Sequence, residues 1–236
     1  MPQPASRAFK LPVPGQVDVT VKVDSPAGTA PGTAALILAH GASNDLDFPL
    51  LAHLGAHLAQ TGTATVVRFN FPYVERGASS PDPSAVLEET MMAVYGRLAG
   101  ELVEPGTPVF VGGKSLGART AAELVSRRSE GGGLSAAGLV LLVYPLHPPG
   151  RRERLYLEPL RHIDVPSLFF SGTRDPLCDP DLLRPVLAGL EHPGELYVVE
   201  GGDHSLHLPG ASGRKPEDSY PEVAAQVEAF IAKTVG

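Results

Sequence analysis

Short apolar runs alternate with longer stretches of helical periodicity along most of this 236-residue chain. Ala34–Ala39 and Gly138–Val143 are continuously apolar, which is typical of strands that are buried on both faces of a sheet. Phe48–Gln60 and Ser84–Leu102 instead carry leucine and other apolar side chains at helical spacing. Strands that alternate with helices in this way predict βαβ units, and therefore an α/β domain with a mostly parallel central sheet flanked by helices.

The composition fits one folded domain. Hydrophobic residues make up 43% of the chain and charged residues 19%, so there is enough apolar surface to offset the entropy of ordering the backbone. No internal repeat or interdomain linker is visible in the sequence. We expect a single domain over residues 1–236, in which residues 1–14 are a candidate flexible end.

Charge and apolar patterning exclude several classes of function. The formal net charge of −7 argues against general nucleic-acid binding, which requires a basic surface. No run of about 18 apolar residues is present, which argues against insertion into a membrane. Met1–Lys10 lacks the apolar core of a secretory signal, so a cytoplasmic protein is the simplest expectation. Nothing in the sequence indicates an oligomeric state.

The single cysteine, Cys178, limits covalent and metal chemistry. An intrachain disulfide and a four-cysteine zinc site are both excluded. A chain of this length can bury about 70% of its unfolded surface without such staples. We expect neither a metal nor an organic cofactor.

The segment Gly113–Gly117 has the sequence Gly-Lys-Ser-Leu-Gly and lies between a predicted strand, Pro108–Val111, and a predicted helix, Leu116–Arg128. Small residues two positions before and after Ser115 permit a tight strand-to-helix turn, which would present the serine hydroxyl at the edge of the sheet. This is the pattern of a nucleophile elbow. The alternative is a glycine-rich helix start in which Ser115 acts only as the N-terminal cap.

A serine nucleophile needs a base and an acid that orients the base. In a sheet of this type they follow the serine in the order acid, then histidine, each after a late strand. Asp175 follows the predicted strand Ser167–Ser171, and His204 follows the predicted strand Glu195–Val199. The sequence therefore predicts Ser115, Asp175 and His204 as a catalytic triad.

Both assignments have competitors in the sequence. Asp175 precedes a proline and would serve equally well to begin a turn, while Asp203 is a rival acid. A carboxylate that is next to the base in sequence has difficulty facing the ring of that base, which favours Asp175. His207 lies three residues beyond His204 and is the closest competitor for the base.

Stabilisation of a developing oxyanion requires two backbone N–H donors, one after the nucleophile and one after an early central strand. Leu116 supplies the first donor. Ala42 is the candidate for the second, because the predicted strand Ala34–Ala39 runs directly into His40 and Gly41. The alternative is that His40 and Gly41 form a plain strand exit that uses the conformational freedom of glycine.

Two loops are positioned to shape a substrate pocket, Asn70–Pro83 and Tyr144–Asp164. The longer of the two is too short for a separate lid domain, so we expect an open site with little or no lid. The side chains expected to line it are His40, Ser43, Asn70, Tyr73, Lys114 and His147.

Four blocks of the sequence carry a resemblance to a known family. They are Leu38–Ala42, Arg68–Tyr73, Gly112–Gly117 and Gly202–Ser205. Together they resemble the branch of the α/β-hydrolase superfamily that is shared by bacterial dienelactone-hydrolase-like proteins and the KANL3/Tex30 family. The resemblance covers most of the chain and implies an eight-stranded or slightly reduced sheet with the same triad. Dienelactone hydrolases use a cysteine nucleophile where this chain has Ser115, so dienelactone specificity is not expected.

The residues and the resemblance together predict a carboxylesterase-like serine hydrolase that cleaves an ester or related acyl bond of a small-molecule substrate. His204 would accept the proton of Ser115 as the serine attacks the carbonyl carbon, and the N–H groups of Leu116 and Ala42 would hold the oxyanion. A thioesterase or a peptidase of the same fold remains an alternative. A non-catalytic interaction module is another, because the KANL3 side of the family includes chromatin-complex subunits.

Overall fold

An eight-stranded sheet forms the centre of the protein in a computed structural model, which describes residues 4–27, 33–128, 131–192, 194–210 and 213–236. The strands are β1 (Ala5–Leu11), β2 (Val19–Ser25), β3 (Ala34–Ala39), β4 (Ala64–Phe69), β5 (Val109–Lys114), β6 (Gly138–Leu142), β7 (Ser167–Gly172) and β8 (Glu195–Val199). Their spatial order is β1-β2-β4-β3-β5-β6-β7-β8. Strand β2 is antiparallel to β1 and β4, and the remaining neighbours are parallel. The predicted α/β fold with a mostly parallel sheet is confirmed.

Helices cover both faces of the sheet. In the described residues they are α1 (Pro49–Thr61), α2 (Pro72–Glu75), α3 (Ser84–Arg97), α4 (Leu116–Ser126), α5 (Pro180–Ala188) and α6 (Tyr220–Val235). Apolar side chains of α3, α4 and α5 pack on one face, and those of α1 and α6 pack on the other. Each face therefore has its own apolar core, which explains why the central strands β3 and β6 are apolar at every position.

The edge strand β1 is the element that the sequence pattern does not reveal. Residues 5–8 are exposed and only Leu11 at the end of the strand is buried, so β1 lacks the alternation that marks a half-buried strand. It nevertheless pairs with β2 over its whole length. Strand β1 lies within residues 1–14, the candidate flexible end, of which residues 1–3 lie outside the described residues.

Two other segments differ from their predicted structure. The helix predicted over Ser84–Leu102 is α-helical only to Arg97 and continues as one π-helical turn. Gly96 and Gly100 fall in this stretch, and glycine weakens an α-helix. The loop predicted over Asn70–Pro83 contains the short helix α2, which begins with a proline, a residue that suits the first helical position.

The carboxyl ends of the parallel strands meet at one edge of the sheet, and the candidate site residues lie in the connections that follow them. We call His40–Leu46 the β3 loop and Gly201–Leu208 the β8 loop. Ser115 lies between β5 and α4, and Asp175 follows β7. The strand order therefore explains how residues far apart in sequence come to one edge.

Candidate active site

Ser115 occupies a strained turn between β5 and α4. Its φ is 51° and its ψ is −107°, a conformation that is rare for a residue with a side chain. The turn packs tightly against the end of β3, because a Cβ atom at Gly113 or Gly117 would collide with the carbonyl oxygen of Ala39. The N–H of Ser115 donates to the carbonyl of Leu142 at 2.9 Å, which ties the turn to β6. These features are those of a nucleophile elbow.

The side chains of Ser115, His204 and Asp175 are in consecutive hydrogen-bond contact. The Oγ of Ser115 lies 2.9 Å from Nε2 of His204, and Nδ1 of His204 lies 2.9 and 2.8 Å from the two carboxylate oxygens of Asp175. The Asp175 side chain has no exposed surface, whereas 23% of the His204 side chain is exposed. A carboxylate at Nδ1 favours the tautomer in which Nδ1 carries the proton, so Nε2 is free to accept the serine proton.

The competing acid and base have other partners. One carboxylate oxygen of Asp203 accepts the backbone N–H groups of Ser205 at 2.7 Å and His207 at 3.0 Å, so Asp203 shapes the β8 loop. The His207 ring bonds to the hydroxyl of Tyr220 at 2.7 Å and stacks on the ring of Phe48. The geometry therefore favours Asp175 as the acid and His204 as the base.

The two candidate oxyanion donors lie on neighbouring segments. Among the described residues, none accepts a hydrogen bond from the N–H of Ala42 or from the N–H of Leu116 at the start of α4. Gly41 packs beside the elbow, where a Cβ atom would lie 3.5 Å from the carbonyl oxygen of Lys114. Two free N–H groups near the nucleophile are what stabilisation of an oxyanion requires.

His40, expected in the substrate pocket, is instead completely buried at the start of the β3 loop. Its Nδ1 lies 2.8 Å from the carbonyl oxygen of Gly41, and its Nε2 accepts the N–H of Phe71 at 3.1 Å. This pattern requires the proton on Nδ1, so the ring is neutral. Burial lowers the pKa of His40, which agrees with a neutral imidazole.

Asn70 and Tyr73, also expected in the pocket, are engaged by the protein itself. The amide of Asn70 accepts the N–H of Leu46 at 2.8 Å and donates to the Glu75 carboxylate at 2.9 Å. The hydroxyl of Tyr73 donates to the carbonyl of Ala42 at 2.9 Å. Burial of Tyr73, with a contribution from the charge of Asp82, raises its pKa to about 12. Both polar side chains therefore support the β3 loop.

Lys114 and His147 are the other two expected pocket residues that the structure buries. Lys114 is 5% exposed, and its ammonium lies 5.0 Å above the ring of Phe48. Burial lowers the pKa of Lys114, and the negative charges of Asp175 and Asp203 oppose that shift. His147 is 2% exposed, with its Nδ1 3.0 Å from the carbonyl oxygen of Pro148.

An open groove of about 650 Å³ lies between the β3 loop and α2. Of the six expected pocket residues, only Ser43 and Tyr73 line it. Sequence reasoning missed Phe48 and Val74, which form apolar parts of its wall. Their positions in the sequence could have indicated this role. Phe48 directly precedes α1 and Val74 lies in α2, so both border loops that leave the carboxyl edge of the sheet.

Two structural features are absent from the part of the chain that the structure describes. No group of three or more histidine, cysteine, aspartate or glutamate side chains there is arranged to hold a metal ion. Across the same residues, no helix has both the length and the apolar character needed to cross a bilayer.

Several solved structures share this fold at low sequence identity. An α/β serine hydrolase without a lid from Xanthomonas campestris has a TM-score of 0.72 at 21% identity, over 97% of this chain and 94% of that one. Dienelactone hydrolase from Anabaena variabilis has a TM-score of 0.73 at 18% identity, over 98% of each chain. Est1E from Butyrivibrio proteoclasticus, in a structure with ferulic acid bound, has a TM-score of 0.76 at 11% identity, over 97% of this chain and 99% of that one.

A family model described as an alpha/beta hydrolase domain matches residues 32–232, which is most of the chain. The sheet order, the elbow after β5 and the structural neighbours agree with that match. The expected α/β-hydrolase fold is confirmed, and the Xanthomonas campestris neighbour is the one described as lacking a lid. The chain belongs to the alpha/beta hydrolase domain family.

Proposed function

We propose that this protein is a serine hydrolase that cleaves a carboxylic ester of a small molecule through an acyl-enzyme. The observation that carries the proposal is the unbroken hydrogen-bond series from Ser115 through His204 to Asp175. Ser115 lies at a strained elbow, and Ala42, the second candidate oxyanion donor, lines a groove that is open to solvent. A nucleophile, a base and a buried acid in this order are the groups that acyl transfer requires.

The first half of the reaction forms the acyl-enzyme. His204 Nε2 takes the proton of the Ser115 hydroxyl as Oγ bonds to the carbonyl carbon of the ester. The carbonyl oxygen becomes an oxyanion, which accepts hydrogen bonds from the N–H groups of Ala42 and Leu116. The protonated His204 then donates its proton to the alcohol oxygen as the carbon–oxygen bond breaks.

The second half releases the acid. Water loses a proton to His204 Nε2 and bonds to the acyl carbon, and the same two N–H groups hold the second oxyanion. The bond to Ser115 breaks, and Oγ recovers the proton from His204. Asp175 orients the imidazole in both halves and stabilises its charged form, an interaction strengthened by the burial of the carboxylate.

The lone cysteine supports serine as the nucleophile. Cys178 is completely buried, and burial raises the pKa of its thiol to about 12, so it holds little thiolate at neutral pH. Its carbonyl accepts the Ser171 hydroxyl at 3.0 Å, which places this residue in the packing behind Asp175. Within the family, we assign the chain to the branch of dienelactone-hydrolase-like and KANL3/Tex30 proteins, on the strength of its four sequence blocks.

The open groove supports an ester with a modest acyl or alcohol group as the substrate. Its volume lies within the range typical of small-molecule sites. Phe48, Tyr73 and Val74 offer apolar contact, whereas Ser43 and Asn44 are polar. A carboxylesterase-like activity is the candidate that best suits this mixture.

A fluorophosphonate probe tests the proposal, because it labels only a serine that a neighbouring base activates. We expect labelling of the wild type on the peptide that contains Ser115, and no labelling of Ser115→Ala. Ser43→Ala is the matched control, since Ser43 is an exposed serine of the same groove and should leave labelling intact.

A substrate panel then identifies the acyl bond. We expect hydrolysis of short p-nitrophenyl esters, with thioester and peptide substrates tested in parallel. If the probe does not label Ser115 and no member of the panel is turned over, the enzyme proposal is wrong and the non-catalytic interaction module takes its place.

A further inference from the structure

The segment Arg68–Tyr73 is one of the four blocks that carry the family resemblance, yet no step of the proposed mechanism uses it. It covers the last two residues of β4 and the first two of α2. Its position beside the β3 loop follows from the sheet, because β4 and β3 are hydrogen-bonded neighbours. Side chains of this segment bond to the β3 loop at both of its ends.

The far end of the β3 loop is held at both polar groups of one residue. The Arg68 guanidinium donates to the carbonyl of Leu46 at 2.7 Å, and the amide oxygen of Asn70 accepts the Leu46 N–H at 2.8 Å. Arg68 is 4% exposed and is fixed in turn by the Asp24 carboxylate at 2.8 Å. The end of the loop is therefore tied to a buried ion pair.

The near end of the loop is held at the carbonyl groups of Gly41 and Ala42. The Gly41 oxygen accepts the Nδ1–H of His40 at 2.8 Å and the N–H of Asn44 at 3.1 Å. The single hydroxyl proton of Tyr73 is shared between the Ala42 oxygen at 2.9 Å and the Gly41 oxygen at 3.3 Å. The N–H of Phe71 donates to His40 Nε2 and so sets the tautomer of that ring.

Because the peptide bond is planar, the contacts to the Gly41 carbonyl also fix the direction of the Ala42 N–H, the candidate oxyanion donor. The carbonyl of Gly41 and the N–H of Ala42 belong to one peptide unit, in which the two groups point in opposite directions. Donors that grip the Gly41 oxygen therefore aim the Ala42 N–H away from themselves. Because His40 is completely buried, competing water does not weaken its bond to the Gly41 oxygen.

We propose that Arg68–Tyr73 is the positioning element of the β3 loop, and that Tyr73 acts through the carbonyl groups of Gly41 and Ala42, which flank the Ala42 N–H, to aim that N–H at the oxyanion. The inference rests on the proposed function for its catalytic consequence. Tyr73 is a positioning residue, since its hydroxyl contacts the protein backbone and not the reacting atoms.

The variant Tyr73→Phe tests this inference, because it removes one hydroxyl from a buried ring and leaves the packing in place. We expect kcat for a short p-nitrophenyl ester to fall about ten- to hundredfold, as a displaced catalytic donor does, while KM stays close to the wild-type value. Tyr95→Phe is the matched control. Its hydroxyl also donates to a backbone carbonyl, that of Ser135 at 2.6 Å, and its loss should leave kcat unchanged.

A second measurement does not depend on turnover. Amide hydrogen exchange in Tyr73→Phe should be faster for Asn44 and Leu46, whose N–H groups are bonded within the held loop. Exchange should be unchanged for Ser205 and His207 in the β8 loop, which provide the internal control.

The outcomes separate this inference from the proposed function. Unchanged kcat in Tyr73→Phe, unchanged exchange in the β3 loop, or equal losses in both tyrosine variants would each overturn the positioning role. If the wild type neither labels at Ser115 nor turns over any ester, the proposed function fails. The exchange of Asn44 and Leu46 still decides in that case whether Tyr73 positions the loop.

Discussion

The β3 loop and the β8 loop each bring one candidate catalytic group to the same edge of the sheet, but they are held in different ways. The β3 loop depends on side chains from another segment, above all Asn70 and Tyr73, which bond to its backbone. The turn that carries His204 in the β8 loop is held by a side chain of the same loop, because Asp203 accepts the N–H groups of Ser205 and His207. Tyr220 and Ser219 add bonds from outside that loop, at His207 and Leu206. The turn at Ala42 therefore depends on long-range side chains, and the turn at His204 on a local carboxylate.

Two aspartates near His204 show how the same residue type can serve as the candidate acid in one connection and shape a turn in another. Asp175 and Asp203 both lie after a late strand, beside the same histidine in sequence or in space. The Asp175 carboxylate faces the His204 ring, whereas that of Asp203 faces backbone N–H groups. Asp203, next to His204 in sequence, therefore shapes a turn, whereas Asp175, which reaches His204 from the connection after β7, is the candidate acid.

The largest expected effect separates these two aspartates. Asp175→Asn should lower kcat about 10⁴-fold, because an amide no longer holds His204 in the tautomer that accepts the serine proton. Asp203→Asn keeps an oxygen that can accept the same N–H groups, so kcat should stay close to that of the wild type. Both are measured with a short p-nitrophenyl ester, and thermal melts check folding. Equal losses in the two variants would show that the β8 loop, rather than the acid alone, limits turnover.

The same contrast explains how far the sequence predicts the site. The positions of Ser115, Asp175 and His204 follow from local turn patterns and from the order of strands, and the structure brings their side chains into contact. Asn70 and Lys114 have polar side chains that fit a pocket equally well, but Asn70 is bonded to Leu46 and Glu75, and Lys114 is buried. Which way such a side chain faces depends on partners that are distant in sequence, and no local pattern shows those partners.

The strands of the sheet also differ in how well the sequence predicts them. The buried central strands can be recognised in the sequence as continuous apolar runs, because both faces of the sheet are covered by helices. Strand β1 is invisible to the same reasoning, since its side chains are mostly exposed and its stability comes from backbone pairing with β2. Sequence reasoning therefore succeeds where burial dictates residue type and fails where the backbone alone makes the contact.

The junction between β3 and the elbow should be the most sensitive packing contact near the β3 loop. Gly117→Ala places a Cβ atom against the backbone of Ala39, which should lower the free energy of unfolding by about 1–3 kcal/mol. Gly96→Ala is the control, because Gly96 lies in α3 with open space around it and alanine should raise that free energy by about 0.5–1 kcal/mol. Urea denaturation measures both. A Gly117→Ala variant as stable as the wild type would contradict a tightly packed elbow.

The stability that Glu75 adds to the segment next to the β3 loop should depend on pH. Burial alone would raise the pKa of Glu75, but hydrogen bonds from Lys10, Thr20 and Asn70 outweigh it and lower the pKa to about 2. Since this is below the ordinary value of 4.5, the folded state binds fewer protons there, and Glu75 stabilises the fold above pH 4.5. That contribution disappears as the pH falls towards 2.

Glu75→Gln measures this contribution. The wild type should be more stable than the variant by about 2 kcal/mol at neutral pH, a value reduced for screening by solvent, and the difference should vanish near pH 2. Glu191→Gln, which makes the same change at an exposed position, is the control and should alter the stability at neutral pH by less than about 0.5 kcal/mol. A constant difference between wild type and Glu75→Gln from neutral pH down to pH 2 would mean that the carboxylate has no such role.

The smallest expected effect comes from the β8 loop and completes the comparison. Tyr220→Phe removes the hydroxyl that bonds to the His207 ring, which should cost about 1 kcal/mol of unfolding free energy. Because Asp203 holds the turn that carries His204 and the Ser219 hydroxyl bonds to the Leu206 carbonyl at 2.6 Å, kcat should change little. The readouts are the melting temperature and kcat, compared with those of Tyr73→Phe. A large loss of kcat in Tyr220→Phe would show that the β8 loop, like the β3 loop, relies on contacts from outside itself.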